Sequence, residues 1–403
     1  MKLPDDWKYI KLSDITTPLT EMAGDKKYET LSISAGIGFV NQAKKFGKEL
    51  SGKQYEKYTV LQRGDFSYNK GNSKKYPQGC IYQLTDRDCA AVPNVFESFR
   101  FILGINDYYE QLFMSGFLNH QLASRINHGV RDDGLLNLTG KDFYDCFVPS
   151  PPLAEQQKIA EILCRQDKII SLKQKLLEQK QKQKKWLMQK LLEVPLTDAN
   201  DEEKFSLDGV VIDKSGWKKE RLESIFFEVN ERNHPNESVL TIVQGYGTDY
   251  RSNVDRRINY DKANVTSYKA VQEGDFIIHL RSFEGGLEMA NQNGIVSPAY
   301  IILRLKKNLY NIFLYFLFHS HEFIYRTIAK SVEGIRDGRN VKYESLKKQE
   351  IYLPTLPEQK IIAQVLSTAD KEIALLKSSI EQEKQKKKSL AQLLLTGTVR
   401  VKT

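Results

Sequence analysis

Two groups of polar residues in Gly-bearing segments are the strongest candidates for chemistry in this sequence. The first group lies between residues 67 and 79 and contains Asn69, Lys70, Lys74, Lys75 and Tyr76. The second lies in segments 244–253 and 279–286 and contains Gln244, Tyr246, Arg251, His279, Arg281 and Ser282. Asn, Gln and Arg can form paired hydrogen bonds with the edges of nucleic-acid bases, and Lys suits phosphate groups. An exposed loop position without a ligand explains any single residue equally well, so only the groups as wholes indicate base recognition.

Three arginines in repeated segments extend these groups. Arg131 and Arg336 hold matching places in a Gly-[Val/Ile]-Arg-Asp sequence that occurs twice. Each is either a phosphate contact or a structural residue paired with the aspartate that follows it. Arg339 lies in the same segment as Arg336 and completes the set of candidate DNA-binding residues.

Motifs for covalent chemistry are missing from the sequence. An adenine methyltransferase needs an [Asp/Asn]-Pro-Pro-aromatic motif, whereas residues 150–153 read Ser-Pro-Pro-Leu and offer no side chain for the base amino group. The Gly pattern at residues 34–39 has no supporting context as a cofactor loop, and no Gly-x-x-x-x-Gly-Lys-[Ser/Thr] sequence occurs. The six histidines are scattered without zinc-like spacing. We therefore expect no catalytic site, no metal site and no cofactor in this chain.

Composition indicates a basic chain with room for two cores. With 403 residues, of which 40% are hydrophobic, two domains of ordinary size are expected, and the net charge of +9 is compatible with a polyanionic partner. The longest apolar run, residues 312–318, is too short to cross a bilayer, and the first ten residues lack the apolar stretch of a signal peptide. The four cysteines form no Cys-x-x-Cys pair, so we expect reduced thiols and a cytoplasmic location.

The second half of the sequence repeats landmarks of the first half in the same order. Trp7 recurs as Trp217, and the Gly-Asp-Phe sequence at residues 64–66 recurs at the same distance, 210 positions later. The Gly-[Val/Ile]-Arg-Asp sequence recurs 205 positions later, and segment 153–163 recurs without a gap as segment 356–366. Because the sequences between landmarks differ almost completely, the pattern indicates a duplication whose two copies have specialised.

Each repeat ends in a long segment that predicts a helix. Residues 153–192 contain no Gly or Pro and give a helix of about 60 Å at 1.5 Å per residue, and the second segment starts after Pro354 and Pro357 and stops before Gly397. Heptad-spaced apolar residues form the same stripe in both segments, namely Leu163, Ile170, Leu177, Leu366, Ile373 and Ile380. We expect the two helices to pack along this seam as an antiparallel coiled coil. Their Lys-rich stretches are either solvated helix faces or contacts to a polyanion backbone.

Outside these helices, short β-branched and aromatic runs are mixed with helical stretches, which predicts an α+β fold in each half. Strands are expected within residues 96–103 and 298–305, and helical stretches at 108–126 and 310–329. The predicted organisation is a first globular domain at 1–150, a long helix at 151–194, a linker at 195–204, a second domain at 205–353, a second long helix at 354–397 and a tail at 398–403.

The strongest repeated motif is Leu-x-Glu-Gln-x-x-Ile-Ala. It occurs as Leu153, Glu155, Gln156, Ile159 and Ala160, and again as Leu356, Glu358, Gln359, Ile362 and Ala363. Each copy closes a domain that begins with Trp and opens a long helix. Over essentially the whole chain, this arrangement resembles the DNA-specificity subunits of type I restriction-modification systems. The second copy reads Thr-Leu-Pro where the first reads Pro-Pro-Leu, which is a small departure.

The resemblance implies two target-recognition domains related by an internal pseudo-two-fold repeat. Each would read one part of a bipartite sequence in double-stranded DNA, and the helix pair would set the length of the unread spacer. The resemblance also implies two modification subunits that methylate adenine with S-adenosylmethionine, and restriction subunits that use ATP and Mg. Two alternatives stay open, namely a coiled-coil scaffold with two protein-binding domains and the recognition subunit of another methylation-based defence system.

Overall fold

The computed structural model of the chain describes residues 3–47, 52–71, 76–126, 136–194, 204–207, 210–254, 262–278, 286–333 and 340–402. The chain divides into two units by its internal contacts. Unit 1 contains residues 1–175 and 378–403, and unit 2 contains residues 176–377. Each boundary falls inside a long helix, so each unit includes one part of each long helix.

Unit 1 combines antiparallel strands with short helices. Its strands are β1 (Lys8–Lys11), β2 (Thr16–Pro18), β3 (Leu31–Ser34), β4 (Gly38–Asn41), β5 (Thr59–Gln62), β6 (Phe66–Asn69), β7 (Cys80–Gln83), β8 (Cys89–Val92), β9 (Glu97–Phe101) and β10 (Phe147–Ser150). Its helices are α1 (Leu12–Ile15), α2 (Gln42–Phe46), α3 (Asn106–Met114), α4 (Asn119–Arg125), α5 (Gly140–Tyr144) and the first part of α6 (Leu153–Leu192). The strands form a four-stranded sheet of order β2-β9-β6-β7 and the ribbons β1-β10, β3-β4 and β5-β8.

The four-stranded sheet of unit 1 buries aromatic side chains against α3. Phe66 on β6 stacks on Phe99 on β9 with ring centroids 5.5 Å apart, and Phe101 stacks on Tyr109 of α3 at 4.3 Å. Such pairs contribute about 0.5–1.5 kcal/mol each beyond the area they bury. The aromatic stripe of this helical stretch is therefore part of the core, as its spacing predicts.

Unit 2 also combines antiparallel strands with short helices. Its strands are β11 (Lys204–Leu207), β12 (Val210–Asp213), β13 (Lys218–Arg221), β14 (Phe226–Val229), β15 (Leu240–Val243), β16 (Gly247–Tyr250), β17 (Lys269–Val271), β18 (Phe276–Ile278), β19 (Glu288–Met289), β20 (Gly294–Val296), β21 (Ile301–Leu305), β22 (Val332–Glu333), β23 (Asn340–Val341) and β24 (Glu350–Leu353). Its helices are α7 (Leu222–Ile225), α8 (Asn311–Phe318), α9 (Tyr343–Leu346) and the first part of α10 (Leu356–Leu395).

The strand order of unit 2 corresponds to that of unit 1. Its four-stranded sheet has the order β14-β21-β18-β19, and its ribbons β13-β24, β15-β16 and β17-β20 match β1-β10, β3-β4 and β5-β8. The ribbons β11-β12 and β22-β23 belong to unit 2. Both units thus mix helices with antiparallel sheet, which is the expected α+β class.

Three local expectations need correction. The helical stretch at 108–126 is divided into α3 and α4 because Gly116 between them has a left-handed φ of +79°. The stretch at 310–329 is divided after α8, where the Ser320 hydroxyl accepts the Phe323 N–H at 3.2 Å and a π-helical turn begins. Lys204, which we expected to end the linker, is the first residue of β11, because it pairs with Asp213 across the β11-β12 ribbon.

The helix α6 spans the Gly- and Pro-free segment 153–192, whereas α10 begins at Leu356, before Pro357, because proline is tolerated in the first turn of a helix. Within unit 1, α6 and α10 run antiparallel, since Gln166 donates to the Glu383 carboxylate at 2.6 Å while Lys173, further along α6, donates to Ser379 at 2.7 Å. The predicted seam contains four buried residues, Leu163, Leu366, Ile373 and Ile380. Its other two members, Ile170 and Leu177, are half-buried. A coiled coil along this seam stays a prediction.

Within unit 2, the other parts of α6 and α10 are joined by two lysines of α6. Lys180 lies 2.7 Å from the Glu372 carboxylate, and Lys184 lies 2.5 Å from the Asp370 carboxylate. Part of the Lys-rich stretch of α6 therefore forms ion pairs between helices.

Candidate nucleic-acid interface

The repeated Gly-Asp-Phe sequence fixes the strand that leads to the first candidate loop. Asp65 is buried, its carboxylate accepts the Gln62 N–H at 2.7 Å, and it forms a two-point ion pair with Arg100 at 2.6 and 2.9 Å. The side chain of Asn106, at the start of α3, donates to the Gly64 carbonyl at 3.1 Å. These bonds hold the turn before β6, and β6 ends at the candidate Asn69.

Unit 2 reproduces this arrangement. Asp275 forms the same two-point ion pair with Arg304 at 2.8 and 2.7 Å, and its carboxylate accepts the Gln272 N–H at 2.8 Å. Asn311 donates to the Gly274 carbonyl at 3.2 Å. The sequence marked the aspartate but not its arginine, because the partner lies on a strand about 30 residues away.

The members of the first candidate group make different kinds of contact. Asn69 uses its side-chain oxygen to accept the Gly71 N–H at 2.9 Å. Lys70 is half-buried, with its ammonium group 3.4 Å from the Glu97 carboxylate and 3.5 Å from the Leu138 carbonyl, so its charge is directed into unit 1. Lys74 and Lys75 lie outside the described residues.

Tyr76, the last member of that group, contacts the hairpin turn formed by the Gly pattern at residues 34–39, which the sequence analysis did not connect with the candidate groups. Tyr76 packs against Gly36 in the turn between β3 and β4, so closely that a Cβ at position 36 would lie 3.0 Å from the Tyr76 hydroxyl. The Gly36 N–H donates to the Tyr82 hydroxyl at 2.8 Å, and Tyr82 also hydrogen-bonds to Tyr76. Burial raises the pKa of Tyr82 to about 12, so this hydroxyl stays protonated at neutral pH.

The second candidate group centres on the equivalent turn of unit 2, between β15 and β16. Gln244 and Tyr246 are exposed in this turn, and Arg251 is half-buried where β16 is followed by a 3-10 turn. The Glu288 carboxylate of β19 accepts the Gly245 N–H at 2.6 Å, and Asn291 donates to the Tyr246 carbonyl at 2.9 Å. The turn is thus attached to the edge of the four-stranded sheet.

The remaining candidates lie outside the described residues. They are Arg131, His279, Arg281, Ser282, Arg336 and Arg339. Their roles stay predictions.

The repeated Glu-Gln pair at the start of each long helix has a structural role. Gln156 accepts the Ile105 N–H at 2.9 Å and donates to the Pro151 carbonyl at 2.9 Å. Gln359 does the same with Tyr310 and Pro354, both at 2.9 Å. Ile105 and Tyr310 cap α3 and α8, so each glutamine joins a long helix to the helix packed on the central sheet.

The glutamates of the repeated pair differ between units. Glu155 is buried and accepts bonds from Trp7 at 2.9 Å and from Arg400 at 2.7 Å. Burial opposes its ionisation, but the Arg400 and Trp7 bonds outweigh burial and hold the pKa of Glu155 below its ordinary value. Glu358 instead accepts the Thr355 N–H and hydroxyl at 3.0 and 2.8 Å and caps its own helix.

The described parts of the chain lack two kinds of feature. They contain no helix with the length and apolar character needed to span a membrane. They also contain no cluster of three or more His, Cys, Asp or Glu residues that could hold a metal ion.

Comparison with known families identifies a domain in the second half of the chain. Residues 214–385 match the type I restriction modification DNA specificity domain. This match covers most of unit 2, including the turn between β15 and β16, and the first 30 residues of α10.

Two proteins of Methanocaldococcus jannaschii are similar over longer stretches. The type I restriction enzyme MjaVIII specificity subunit is 27% identical over 295 residues, which covers 69% of this chain and 68% of that protein. The putative type I restriction enzyme MjaX specificity subunit is 27% identical over 432 residues and covers 100% of this chain and 96% of that protein.

A solved structure has the same fold over nearly the full length. The HsdS subunit from Thermoanaerobacter tengcongensis matches with a TM-score of 0.51 and 17% identity, covering 99% of each chain. The domain match in the second half and the two relatives carry the same family name, and this fold agrees with it. The second half of the chain thus matches a type I restriction modification DNA specificity domain, and the chain as a whole is similar to type I restriction enzyme specificity subunits.

Proposed function

We propose that each unit of this chain reads one half of a bipartite sequence in double-stranded DNA. The observation that carries the proposal is a shared framework with different exposed side chains. In both units an Asp-Arg ion pair fixes the turn before the central strand, and a glutamine joins α6 or α10 to the helix packed on the sheet. The segments that follow these fixed points differ between units, which suits two readers of different sequences.

The long helices are proposed to set the length of the unread spacer between the two half-sites. In both units α6 and α10 are joined by ion pairs and side-chain hydrogen bonds, which favours a stiff element. A helix changes length in steps of 1.5 Å per residue, so one heptad corresponds to about three base pairs at 3.4 Å each.

Catalysis is proposed to reside in partner subunits. In this scheme two modification subunits use S-adenosylmethionine to methylate one adenine in each half-site, and restriction subunits use ATP and Mg to translocate and cleave DNA. The chain itself contributes recognition, in the cytoplasm. The family name, a specificity subunit, supports this division of labour.

Mapping of methylated adenines tests the proposal directly. Cells without other adenine methylation would express the chain together with its cognate methyltransferase subunit, and the methylated positions would be sequenced. We expect one motif made of two short specified sequences separated by a spacer of fixed length. A single continuous motif, or methylation independent of this chain, would contradict the proposal.

The spacer role has its own experiment. Equivalent heptads, residues 171–177 of α6 and 374–380 of α10, would be deleted together. We expect both half-site sequences to be kept while the spacer shortens by about three base pairs. Altered half-sites with an unchanged spacer would be inconsistent with a spacer role.

The protein-binding scaffold is separated from this proposal by salt dependence. A DNA-reading complex should lose affinity steeply as salt rises from 50 to 200 mM, about 10³-fold for six phosphate contacts. A scaffold predicts that adding this chain to the methyltransferase leaves DNA affinity and its salt dependence unchanged.

A further inference from the structure

The turns between β3 and β4 and between β15 and β16 are equivalent and share a Gly-x-Gly sequence. In unit 1 it consists of Gly36, Ile37 and Gly38, and in unit 2 of Gly245, Tyr246 and Gly247, 209 positions later. All four glycines have left-handed φ, namely +83° and +107° in unit 1 and +74° and +106° in unit 2. A side chain is strained in this conformation, so each turn presents one large residue between two positions that favour glycine.

Both turns are fixed to the sheet edge by a side chain on the equivalent strand. Tyr82 of β7 accepts the Gly36 N–H at 2.8 Å, and Glu288 of β19 accepts the Gly245 N–H at 2.6 Å. A hydroxyl and a carboxylate thus make the same bond in the two units. The backbone of the turn is held while the residue at its tip differs.

The residue at each tip is exposed despite its size. Ile37 is 75% exposed and Tyr246 is 60% exposed, and neither is a member of a hydrophobic core. Because the backbone beneath each is already fixed, ordering these side chains on binding costs little backbone entropy. A rigid, exposed apolar or aromatic group is the kind of group that contacts base edges, including the methyl group of thymine.

A basic residue follows the second strand of each hairpin. In unit 1, exposed Lys44 follows β4, whereas the ammonium group of Lys45 donates to the Ile33 carbonyl at 3.2 Å. In unit 2, Arg251 follows β16. The residue at each tip can contact bases and the nearby basic residue can contact phosphates. This combination favours double-stranded DNA as the ligand of each turn.

We infer that Ile37 and Tyr246 are paired specificity residues, each contacting bases in the half-site that its own unit reads. This inference rests on the proposed function and adds to it the position of the contact. It also assigns a role to residues 34–39, whose glycines form a hairpin turn.

The test uses four single variants of the full chain with its cognate methyltransferase. Ile37→Ala and Tyr246→Ala remove the tips, and Ile102→Ala and Tyr325→Ala are matched controls, since Ile102 is 59% and Tyr325 is 57% exposed elsewhere in the same units. Thermal melting checks that each variant is folded.

We expect Ile37→Ala to relax base preference in one half-site and Tyr246→Ala in the other, with discrimination at the contacted base falling about 5- to 100-fold. Both controls should keep the wild-type motif. If the wild type methylates a bipartite motif and both tip variants keep it unchanged, the inference is wrong while the proposed function stands. If the wild type methylates no bipartite motif, the proposed function and this inference are both wrong.

Discussion

Asp167 of α6 forms an ion pair with Lys387 of α10, whose ammonium group lies 2.6 and 2.7 Å from the two carboxylate oxygens. The same pair occurs in unit 2 between Asp370 and Lys184, where each residue is displaced by 203 positions from its counterpart. The repeat thus preserves an interaction between helices as well as an apolar stripe. In unit 1, Gln111 of α3 also donates to Asp167 at 2.8 Å and joins the globular part to the helix pair.

Reversing one charge of this pair should destabilise the helix contact in unit 1. We expect Asp167→Lys to lower the free energy of local opening by about 2 kcal/mol, because it places two cations together where both side chains are partly buried. Adding Lys387→Asp should recover more than half of this loss. Hydrogen exchange of α6 amides near residue 167 measures both effects.

An exposed pair serves as the control for this experiment. Lys158 and Glu161 lie 3.6 Å apart with both side chains about half exposed, so exchanging their charges should change stability by under about 0.5 kcal/mol. Equal losses in the single and double variants at residues 167 and 387 would mean that the pair contributes no coupling.

Glu110 should make the stability of unit 1 depend on pH. Burial, reinforced by the negative charges of Asp107 and Asp167, raises the pKa of Glu110 from 4.5 to about 7. The folded chain holds this proton after the unfolded chain has released it, so stability should fall as pH rises from about 4.5 to about 7. Glu110→Gln should remove this loss, leaving the variant more stable than wild type at pH 8 by on the order of 2 kcal/mol.

Melting temperatures measured from pH 4 to pH 8 test the Glu110 prediction. Wild type and Glu110→Gln should converge at the acidic end and diverge as pH rises. The exposed Glu161→Gln is the matched control and should follow wild type throughout. A difference between Glu110→Gln and wild type that is constant over the whole range would contradict a proton held by Glu110.

Gln156 and Gln359 should stabilise the same joint in different units. Replacing either with Ala leaves a partly buried N–H and a buried carbonyl without this partner, which costs about 1–3 kcal/mol. We expect Gln156→Ala to increase hydrogen exchange at the start of α3 and Gln359→Ala at the start of α8. Gln157→Ala, an exposed neighbour on the same helix, should leave both unchanged.

Tyr82 and Glu288, which hold the two turns, should each affect recognition only in the half-site of its own unit. Glu288→Ala removes the oxygen that accepts the Gly245 N–H, whereas the side-chain amide oxygen of Glu288→Gln can still accept this hydrogen bond. We expect Glu288→Ala to reduce fidelity in the half-site of unit 2, and Glu288→Gln to restore most of it. Tyr82→Phe should reduce fidelity in the other half-site.

Methylation mapping measures these effects, and the outcome separates two roles of Glu288. If Glu288→Gln is as defective as Glu288→Ala, the charge of Glu288 matters more than the hydrogen bond it accepts. If neither variant changes the motif while both stay folded, Glu288 does not position the turn.

The sequence predicted best those features whose cause is local. The bounds of α6 follow from the absence of Gly and Pro in residues 153–192, whereas α10 begins before Pro357 because proline is tolerated in a first helical turn. The strands within 96–103 and 298–305 likewise follow from short β-branched and aromatic runs. The division at Gly116 was missed because a single Gly within an apolar pattern does not reveal its φ angle.

Contacts between residues that are far apart in the sequence could not be predicted from sequence patterns. Asp65 was recognised as part of a repeat, but Arg100 and Asn106 became its neighbours only through strand and helix packing. Lys70 has the character of a phosphate ligand in the sequence, yet its ammonium group lies next to Glu97. Ile37 carried a signal, since its Gly-x-Gly context recurs 209 positions later, but the two glycine patterns were not aligned with each other.

The composition of unit 1 from two separate chain segments has a consequence for the order of folding. Unit 2 is one continuous segment, whereas the core of unit 1 includes Ala391, Leu394 and Leu395 from the far end of α10. A ribosome must therefore synthesise the whole of unit 2 before the core of unit 1 can be completed. Completion of the unit 1 core therefore waits for the time that about 200 residues take, on the order of 10–40 s at 5–20 residues per second. Binding of chaperones to nascent chains should accordingly begin with unit 1 and end when α10 emerges.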